Sequence, residues 1–318
     1  MALRLTDSEV QQVLNVFELV DAMEAAMVEF AEGKVVQPVR TVFDFGDGRL
    51  FGSMPAYVPR VSVHGAKMLT VLPERGRMGL PTHVSTIVLL DPATGELEAV
   101  VDANFLTAVR TAAVSAVSIR HLASINSTVL AIIGSGTQAR SHTSLLSTVF
   151  DFDDIRAWSP NSAHLAQFVE QSGGRVRSAV SAADAVQDAD IILLATSSQT
   201  PVIALEWIKS GAHIISLGAC RPNHREIDPK LLATSYLVVD SKQAAVREAG
   251  DIVQAIKNRI FTESHIRSEL GMIAHHEQRR NAPSMISVFK SLGMAVEDLV
   301  AAHLSVESAR TQGVGREI

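Results

Sequence analysis

The sequence predicts an α/β protein in which a doubly wound parallel sheet is joined to a mixed α+β domain. Three observations carry that prediction. From Ser127 onward, apolar strand-like runs alternate with helical stretches, the pattern of a parallel sheet wrapped by helices. From Val35 to Ala103, short apolar runs follow one another across turn residues with no long helix between them, which reads as an antiparallel or mixed sheet. The chain is also long enough for two domains, with 318 residues of which 47% are hydrophobic.

The elements follow in order. Thr6-Asp7-Ser8-Glu9 reads as a capping box, with Thr6 at the N-cap and Glu9 reaching back to it. The helix it starts is expected to carry Val10, Val13, Leu14 and Phe17 on one face. A second helix is expected over Val20 to Phe30, stopping near Gly33. The runs VVQPVRTVFDF, RLFGSMPAYV, HGAKMLTVLP, HVSTIVLLD and LEAVVDA then read as strands, with turn chemistry at Gly46-Asp47-Gly48 and Asp91-Pro92-Ala93-Thr94-Gly95. An Ala-rich helix from about Leu106 to Leu122 carries Arg110 and Arg120. TVLAIIG, DIRAWS, DIILLATS, HIISLG and YLVVDS read as strands of the parallel sheet. From about Ser284 the run SVFKSLGMAVEDLVAAHL reads as helix, and the tip ESARTQGVGREI as frayed.

Composition narrows the function classes. A formal net charge of −6 and a pI of about 6.0 give no basic footprint for nucleic acid. One cysteine precludes an internal disulfide and fits a reducing, cytoplasmic setting. The start MALRLTDSEVQQ turns polar too early for a signal peptide. Mean hydropathy is +0.19, yet no apolar run approaches the roughly 18 residues of a membrane span. That mild hydrophobicity fits a buried parallel sheet and a subunit interface. His275-His276-Glu277-Gln278-Arg279-Arg280 lacks HExxH spacing and cysteine partners, so no metal is expected there.

Gly134-Ser135-Gly136-Thr137-Gln138-Ala139 has the form G-x-G-x-x-A, directly after the apolar run Val129 to Ile133 and before a helical stretch. That is the strand–turn–helix context of a Rossmann dinucleotide site. Gly134 permits the tight turn, Gly136 lets the backbone approach a pyrophosphate, and Ala139 allows close helix–strand packing. The helix N-terminus offers free N–H groups and a positive dipole end. At the end of the next strand, Trp158-Ser159-Pro160-Asn161 has neither an acid for a ribose 2′-hydroxyl nor an arginine for a 2′-phosphate. The cofactor is NADP(H) or NAD(H), and the missing acid leans the choice to NADP(H).

Leu106-Thr107-Ala108-Val109-Arg110-Thr111-Ala112-Ala113-Val114-Ser115-Ala116 resembles the signature of the ornithine cyclodeaminase/μ-crystallin family. Pro38-Val39-Arg40, Met54-Pro55-Ala56-Tyr57, Gly65-Ala66-Lys67, Leu90-Asp91-Pro92 with Thr94-Gly95, the GSGTQA turn and Phe289-Lys290-Ser291-Leu292-Gly293-Met294-Ala295 agree, in the right order along nearly the whole chain. The resemblance implies a substrate-binding and dimerisation domain over residues 1–123 with 295–318, an NAD(P)-binding Rossmann domain over 124–294, and a homodimer. It implies that Arg40, Lys67 and Arg110 hold the α-carboxylate of a small amino or imino acid facing the nicotinamide. A guanidinium suits that task, because it can grip a carboxylate through two parallel hydrogen bonds. Lys67 and Arg110 are the catalytic candidates, and Met54 is expected to line the substrate pocket. A desolvated Lys67 would have a lowered pKa and could exchange a proton with the substrate nitrogen. Family positions matching cofactor contacts are Thr82, Thr111, Thr137, Gln138, Ser159, Thr196 and Ser291, together with Gly134, Gly136 and the loop at Cys220. For any one of the Thr or Ser residues, a local backbone cap is the competing explanation. For the three basic residues it is a surface ion pair.

The chain departs from the cyclodeaminases at two acids. One stands two residues before the Met-Pro pair, where this chain has Gly52, and the other lies after HIISLG, where it has Cys220. Cyclodeamination needs positioned proton transfers, and neither carboxylate is present. The resemblance therefore points to the reductase-like branch: an enzyme reducing a cyclic or simple α-imino acid, such as 1-pyrroline-2-carboxylate, to the L-amino acid. An alanine-type dehydrogenase stands second, ornithine cyclodeaminase third, and a dinucleotide-binding protein with little turnover is the alternative outside enzymology. A lone cysteine is more often a small buried filler than a nucleophile. His64 and His83 rank low as substrate donors.

Overall fold

A computed structural model describes residues 2–276 and 284–318, and of the histidine-rich run Glu277, Gln278, Arg279 and Arg280 lie outside the described residues. In chain order the elements are β1 (Leu3–Leu5), α1 (Asp7–Val13), α2 (Val16–Ala31), β2 (Thr41–Asp44), β3 (Leu50–Val58), β4 (Val63–Val71), α3 (Glu74–Arg77), β5 (His83–Leu90), β6 (Leu97–Asp102) and α4 (Asn104–Leu122). There follow β7 (Val129–Ile133), α5 (Thr137–Val149), β8 (Asp154–Trp158), α6 (Ser162–Gln171), β9 (Arg177–Ser178), α7 (Ala182–Val186), β10 (Ile191–Leu194), β11 (His213–Ser216), α8 (Pro229–Thr234) and β12 (Tyr236–Val239). The last are α9 (Lys242–Glu248), α10 (Gly250–Lys257), β13 (Ile266–Glu269), α11 (Leu270–His275), β14 (Ser287–Lys290), α12 (Ala295–Gln312) and β15 (Arg316–Glu317). The chain divides into two compact units, 1–111 with 293–318 and 112–292, so the division falls inside α4.

The first unit holds a mixed seven-stranded sheet in the order β15-β1-β6-β5-β4-β3-β2. β2 through β6 form an antiparallel meander, β1 pairs parallel to β6, and β15 closes the edge antiparallel to β1. Alternation along the strands puts Met54, Lys67, Ile87 and Val101 on one face; α12 packs across β3, β4 and β5, and α2 packs on α12. The capping box forms as read: Thr6 N–H donates to Glu9 Oε2 at 2.8 Å and Glu9 N–H to Thr6 Oγ1 at 3.4 Å. The helix it starts ends early, because Asn15 accepts from Phe17 and Glu18 N–H and so caps a separate helix. Phe17 therefore lies in the first turn of α2 and is exposed, off the expected apolar face.

The second unit is a parallel eight-stranded sheet in the order β13-β12-β14-β11-β10-β7-β8-β9. The chain runs from β7 through β8 to β9 at one edge and returns to β10 on the other side of β7. That reversal is the switch point at which doubly wound sheets bind ligands. The central strands are buried on both faces, and β10 is apolar throughout.

Two expectations for the C-terminal region change. Ser287–Lys290 is a central strand and not helix: its four residues are buried on both faces, and the helix starts only at Ala295, beyond Gly293 with φ +78°. The tip is not frayed, because Gly313 ends α12 in the left-handed conformation and the chain turns back to pair Arg316 and Glu317 with β1. Among the described residues, no helix is long and apolar enough to cross a membrane.

Candidate active site

The first unit contains a sealed cluster of charges. Lys67 extends from the middle of β4, where Met54 of β3 and Ile87 of β5 are its ladder neighbours. Its Nζ lies 2.7 Å from Asp298 Oδ2. Arg110, on α4, donates from Nε to Asp298 Oδ1 at 2.8 Å and from Nη1 to Glu297 Oε2. Lys67 and Arg110 are 3% and 4% exposed, and both acids are fully buried. The acids occupy the first turn of α12, where the helix dipole favours negative charge. Gln37 secures the same turn by accepting from Val296 N–H at 2.8 Å.

Burial lowers the Lys67 pKa to about 8; the Asp298 charge resists the fall, while the Arg110 and Arg40 charges add to it. The competing surface ion-pair explanation does not describe Lys67 and Arg110, which are buried. Arg40 is half-buried and lies in the irregular segment just before β2, not within a strand as read from the sequence. Its charge reaches Lys67. Lys67 and Arg110 are thus paired with two buried carboxylates, with the Arg40 charge close enough to act on Lys67. Gly293 matters to this geometry: a Cβ there would stand 2.7 Å from Arg110 Nη1, and its φ of +78° already favours glycine.

The second unit contains the dinucleotide features. A Cβ at Gly134 would lie 2.3 Å from the Ala195 carbonyl oxygen, and its φ is +123°, so the turn after β7 demands glycine. At Gly136 a Cβ would meet nothing within 4 Å, and no side chain caps the N-terminus of α5. An open cradle beside uncapped N–H groups at the start of a 13-residue helix fits a pyrophosphate. Thr137 is exposed at this turn, Gln138 half-buried, and Ala139 fully buried against the sheet. The Ser135 and Ser159 hydroxyls meet at 3.1 Å, bringing the glycine turn and the end of β8 together.

Other candidates have local partners. Thr196 Oγ1 donates to Glu226 at 2.7 Å, and Ser291 Oγ lies 3.4 Å from Asp240 Oδ2. Cys220 is exposed in the loop after β11 and its thiol donates to the Leu217 carbonyl at 3.2 Å. In the first unit Thr111 Oγ1 donates to the Thr107 carbonyl at 2.7 Å, and Thr82 Oγ1 lies 3.0 Å from Nδ1 of the exposed His83. Sequence reasoning missed Glu297 and Asp298. The signal available was an acidic pair at the start of a predicted helix, hidden because the helix was placed eleven residues too early.

The comparisons with known proteins agree with this architecture. The ketimine reductase mu-crystallin of Mus musculus is 38% identical over 309 residues, 96% of each chain. The Thermococcus litoralis Δ1-pyrroline-2-carboxylate reductase, solved in complex with NADH and L-proline, superposes with a TM-score of 0.95 at 32% identity, over 99% of this chain and 100% of that one. An archaeal alanine dehydrogenase dimer with bound NAD superposes at 0.93 with 30% identity, over 100% and 98%. The sequence profile of the ornithine cyclodeaminase/mu-crystallin family matches residues 2–313. This chain belongs to the ornithine cyclodeaminase/mu-crystallin family.

Proposed function

We propose that the protein is an NAD(P)H-dependent imine reductase that converts a small α-imino acid of the 1-pyrroline-2-carboxylate or ketimine type to the L-amino acid. The observation that carries this reading is the buried Lys67–Asp298–Arg110 cluster, two cations held in place by one carboxylate. Names of relatives support it, since the Mus musculus and Thermococcus litoralis proteins are called reductases of such imines.

Bound reduced nicotinamide supplies the hydride. Arg40 and Arg110 bind and orient the substrate carboxylate, and Met54, beside Lys67 in the ladder, lines its side-chain pocket. With its pKa near 8, the Lys67 ammonium holds a proton at neutral pH that it can pass to the imine nitrogen. Asp298 keeps Lys67 charged and Arg110 in place.

Gly52 supports a reductase over a cyclodeaminase on steric grounds as well. A Cβ there would sit 3.1 Å from Leu69 Cγ, so any side chain at this position requires Leu69 to shift. The end of β8 presents Ser159, Pro160 and Asn161 and no carboxylate, which favours NADP(H) over NAD(H). The protein works as a homodimer: Phe43, Tyr57 and Met68 leave apolar area exposed on the sheet of the first unit, a surface of the kind that marks an interface. The test is nicotinamide oxidation by purified protein with a panel of imino acids. Oxidation with pyruvate plus ammonia but no cyclic imine would make it an amino-acid dehydrogenase like the archaeal relative.

A further inference from the structure

The second unit buries a second charge cluster that the reaction above does not use. Glu226 is fully buried and all its accepting positions are engaged. Oε1 takes the Thr196 N–H at 2.9 Å and the Thr196 hydroxyl at 2.7 Å, and Oε2 takes the Ser216 hydroxyl and the Gly218 N–H, both at 2.9 Å. Lys290, the last residue of β14 and also fully buried, donates to Ser216 Oγ at 3.2 Å and to the Gly218 carbonyl. Asp251 lies 3.6 Å from Lys290 Nζ and accepts the Glu226 and Ile227 N–H groups at 2.7 and 2.9 Å.

A cluster that merely filled the core would bond within it. This one is directed at backbone just past the C-terminal ends of β10 and β11. A side chain at Gly218 would strike Glu226 Oε1 at 2.6 Å and the Thr196 carbonyl at 2.4 Å, so the two loops touch at that point. The next residue, Ala219, is held at φ +52°, and its carbonyl accepts the Gly250 N–H at 2.9 Å. In a doubly wound sheet the adenosine half of a dinucleotide lies over the strands that here are β7 and β8. The other half crosses the switch point to the loops that follow the strands beyond it, here β10 and β11.

We propose that Glu226, Lys290 and Asp251 are positioning residues for the nicotinamide half of the cofactor, acting through the loops at Thr196 and Gly218–Cys220. This rests on the reading that the second unit carries the dinucleotide. Replacing Glu226 by Gln sets an amide N–H₂ against groups that are themselves donors and leaves Lys290 without a charged partner at Glu226. The loops then lose their fixed geometry, while the glycine turn at 134–136 is untouched.

The test is titration of Glu226→Gln with the preferred reduced dinucleotide and with ADP-ribose or its 2′-phosphate, which lack the nicotinamide. The expected result is a Kd for the dinucleotide about tenfold weaker, with the ADP-ribose Kd within about twofold of wild type. Equal weakening of both, or of neither, overturns the proposal. If Glu226→Gln does not fold, Ser216→Ala, which keeps all three charges, is read by the same two titrations, with about a threefold selective loss expected. If wild type binds neither ligand, it is the dinucleotide reading itself that fails, and this proposal with it.

Discussion

Asp298 Oδ2 lies 2.7 Å from Lys67 Nζ, and the same carboxylate receives Arg110 Nε at 2.8 Å through its other oxygen. One buried acid thus ties together two buried cations, and its charge raises the Lys67 pKa against the larger lowering by burial.

The pH dependence follows. Lys67 is depressed to about 8, so its ammonium is present below that pH and lost above it. Imine reduction needs that proton, so kcat/KM for reduction should fall above about pH 8, and oxidation of the amino acid should rise there. Asp298→Asn removes the charge that raises the Lys67 pKa, so the limb should move to lower pH. Arg40→Leu removes a charge that lowers it, so the limb in kcat should move up. Lys67→Met should abolish the limb and cost about 10²-fold or more in kcat. An unshifted profile in Asp298→Asn would show that Lys67 is not the group observed.

Gly293→Ala should damage the carboxylate grip without touching the dinucleotide. The added methyl stands 2.7 Å from Arg110 Nη1, on a backbone at φ +78°. Expected are about 1–2 kcal/mol lost in stability and a rise of about tenfold in KM for the imino acid, with the KM for NAD(P)H little changed. Parallel rises in both constants would mean that the effect is global.

The two glycines of the cofactor turn should behave differently. Gly136→Ala has open space around the new methyl and an ordinary φ of −83°, so it should fold normally and bind the dinucleotide at least about tenfold more weakly. Gly134→Ala meets the Ala195 carbonyl and should also lower the melting temperature. Thermal melts alongside dinucleotide titrations separate the two, and a normal affinity in Gly136→Ala contradicts the pyrophosphate assignment.

His142 predicts acid sensitivity. It is fully buried on α5, 2.9 Å from Ser115 Oγ and 2.8 Å from the Gln138 carbonyl. Burial lowers its pKa to about 4, against the Gln138 bond, which raises it. Between about pH 6.5 and 4 the unfolded chain takes up a proton that the folded one refuses. The stability contribution is therefore complete above pH 6.5 and lost as pH falls toward 4, up to about 3 kcal/mol. Urea midpoints from pH 7 to 4.5 measure the slope, which should flatten in His142→Asn.

Much of the fold was legible because its signals are local. The capping box at Thr6, the glycine turn after β7 and the apolar runs of the second sheet are each written within a few residues. Ser287–Lys290 was misread because a strand of four residues buried on both faces has no period of two, and a helical stretch follows within five residues. β15 was invisible because its partner is at the other end of the chain. In the candidate site, Lys67 and Arg110 stand out in the sequence by motif and residue type, whereas the misplaced helix start concealed their partners Glu297 and Asp298. The joining of Glu226 and Lys290 through Ser216 and Gly218 gave no signal, since the two lie 64 residues apart in the chain.

The most direct test is reduction of 1-pyrroline-2-carboxylate by NADPH and by NADH, read as loss of nicotinamide absorbance and as L-proline formed. The account predicts turnover giving L-proline, faster with NADPH, and lost in Lys67→Met while dinucleotide binding persists. Failure of both cofactors with every cyclic imine tried, with proline and ammonia formed from ornithine instead, would contradict it and return the chain to the cyclodeaminases despite Gly52 and Cys220.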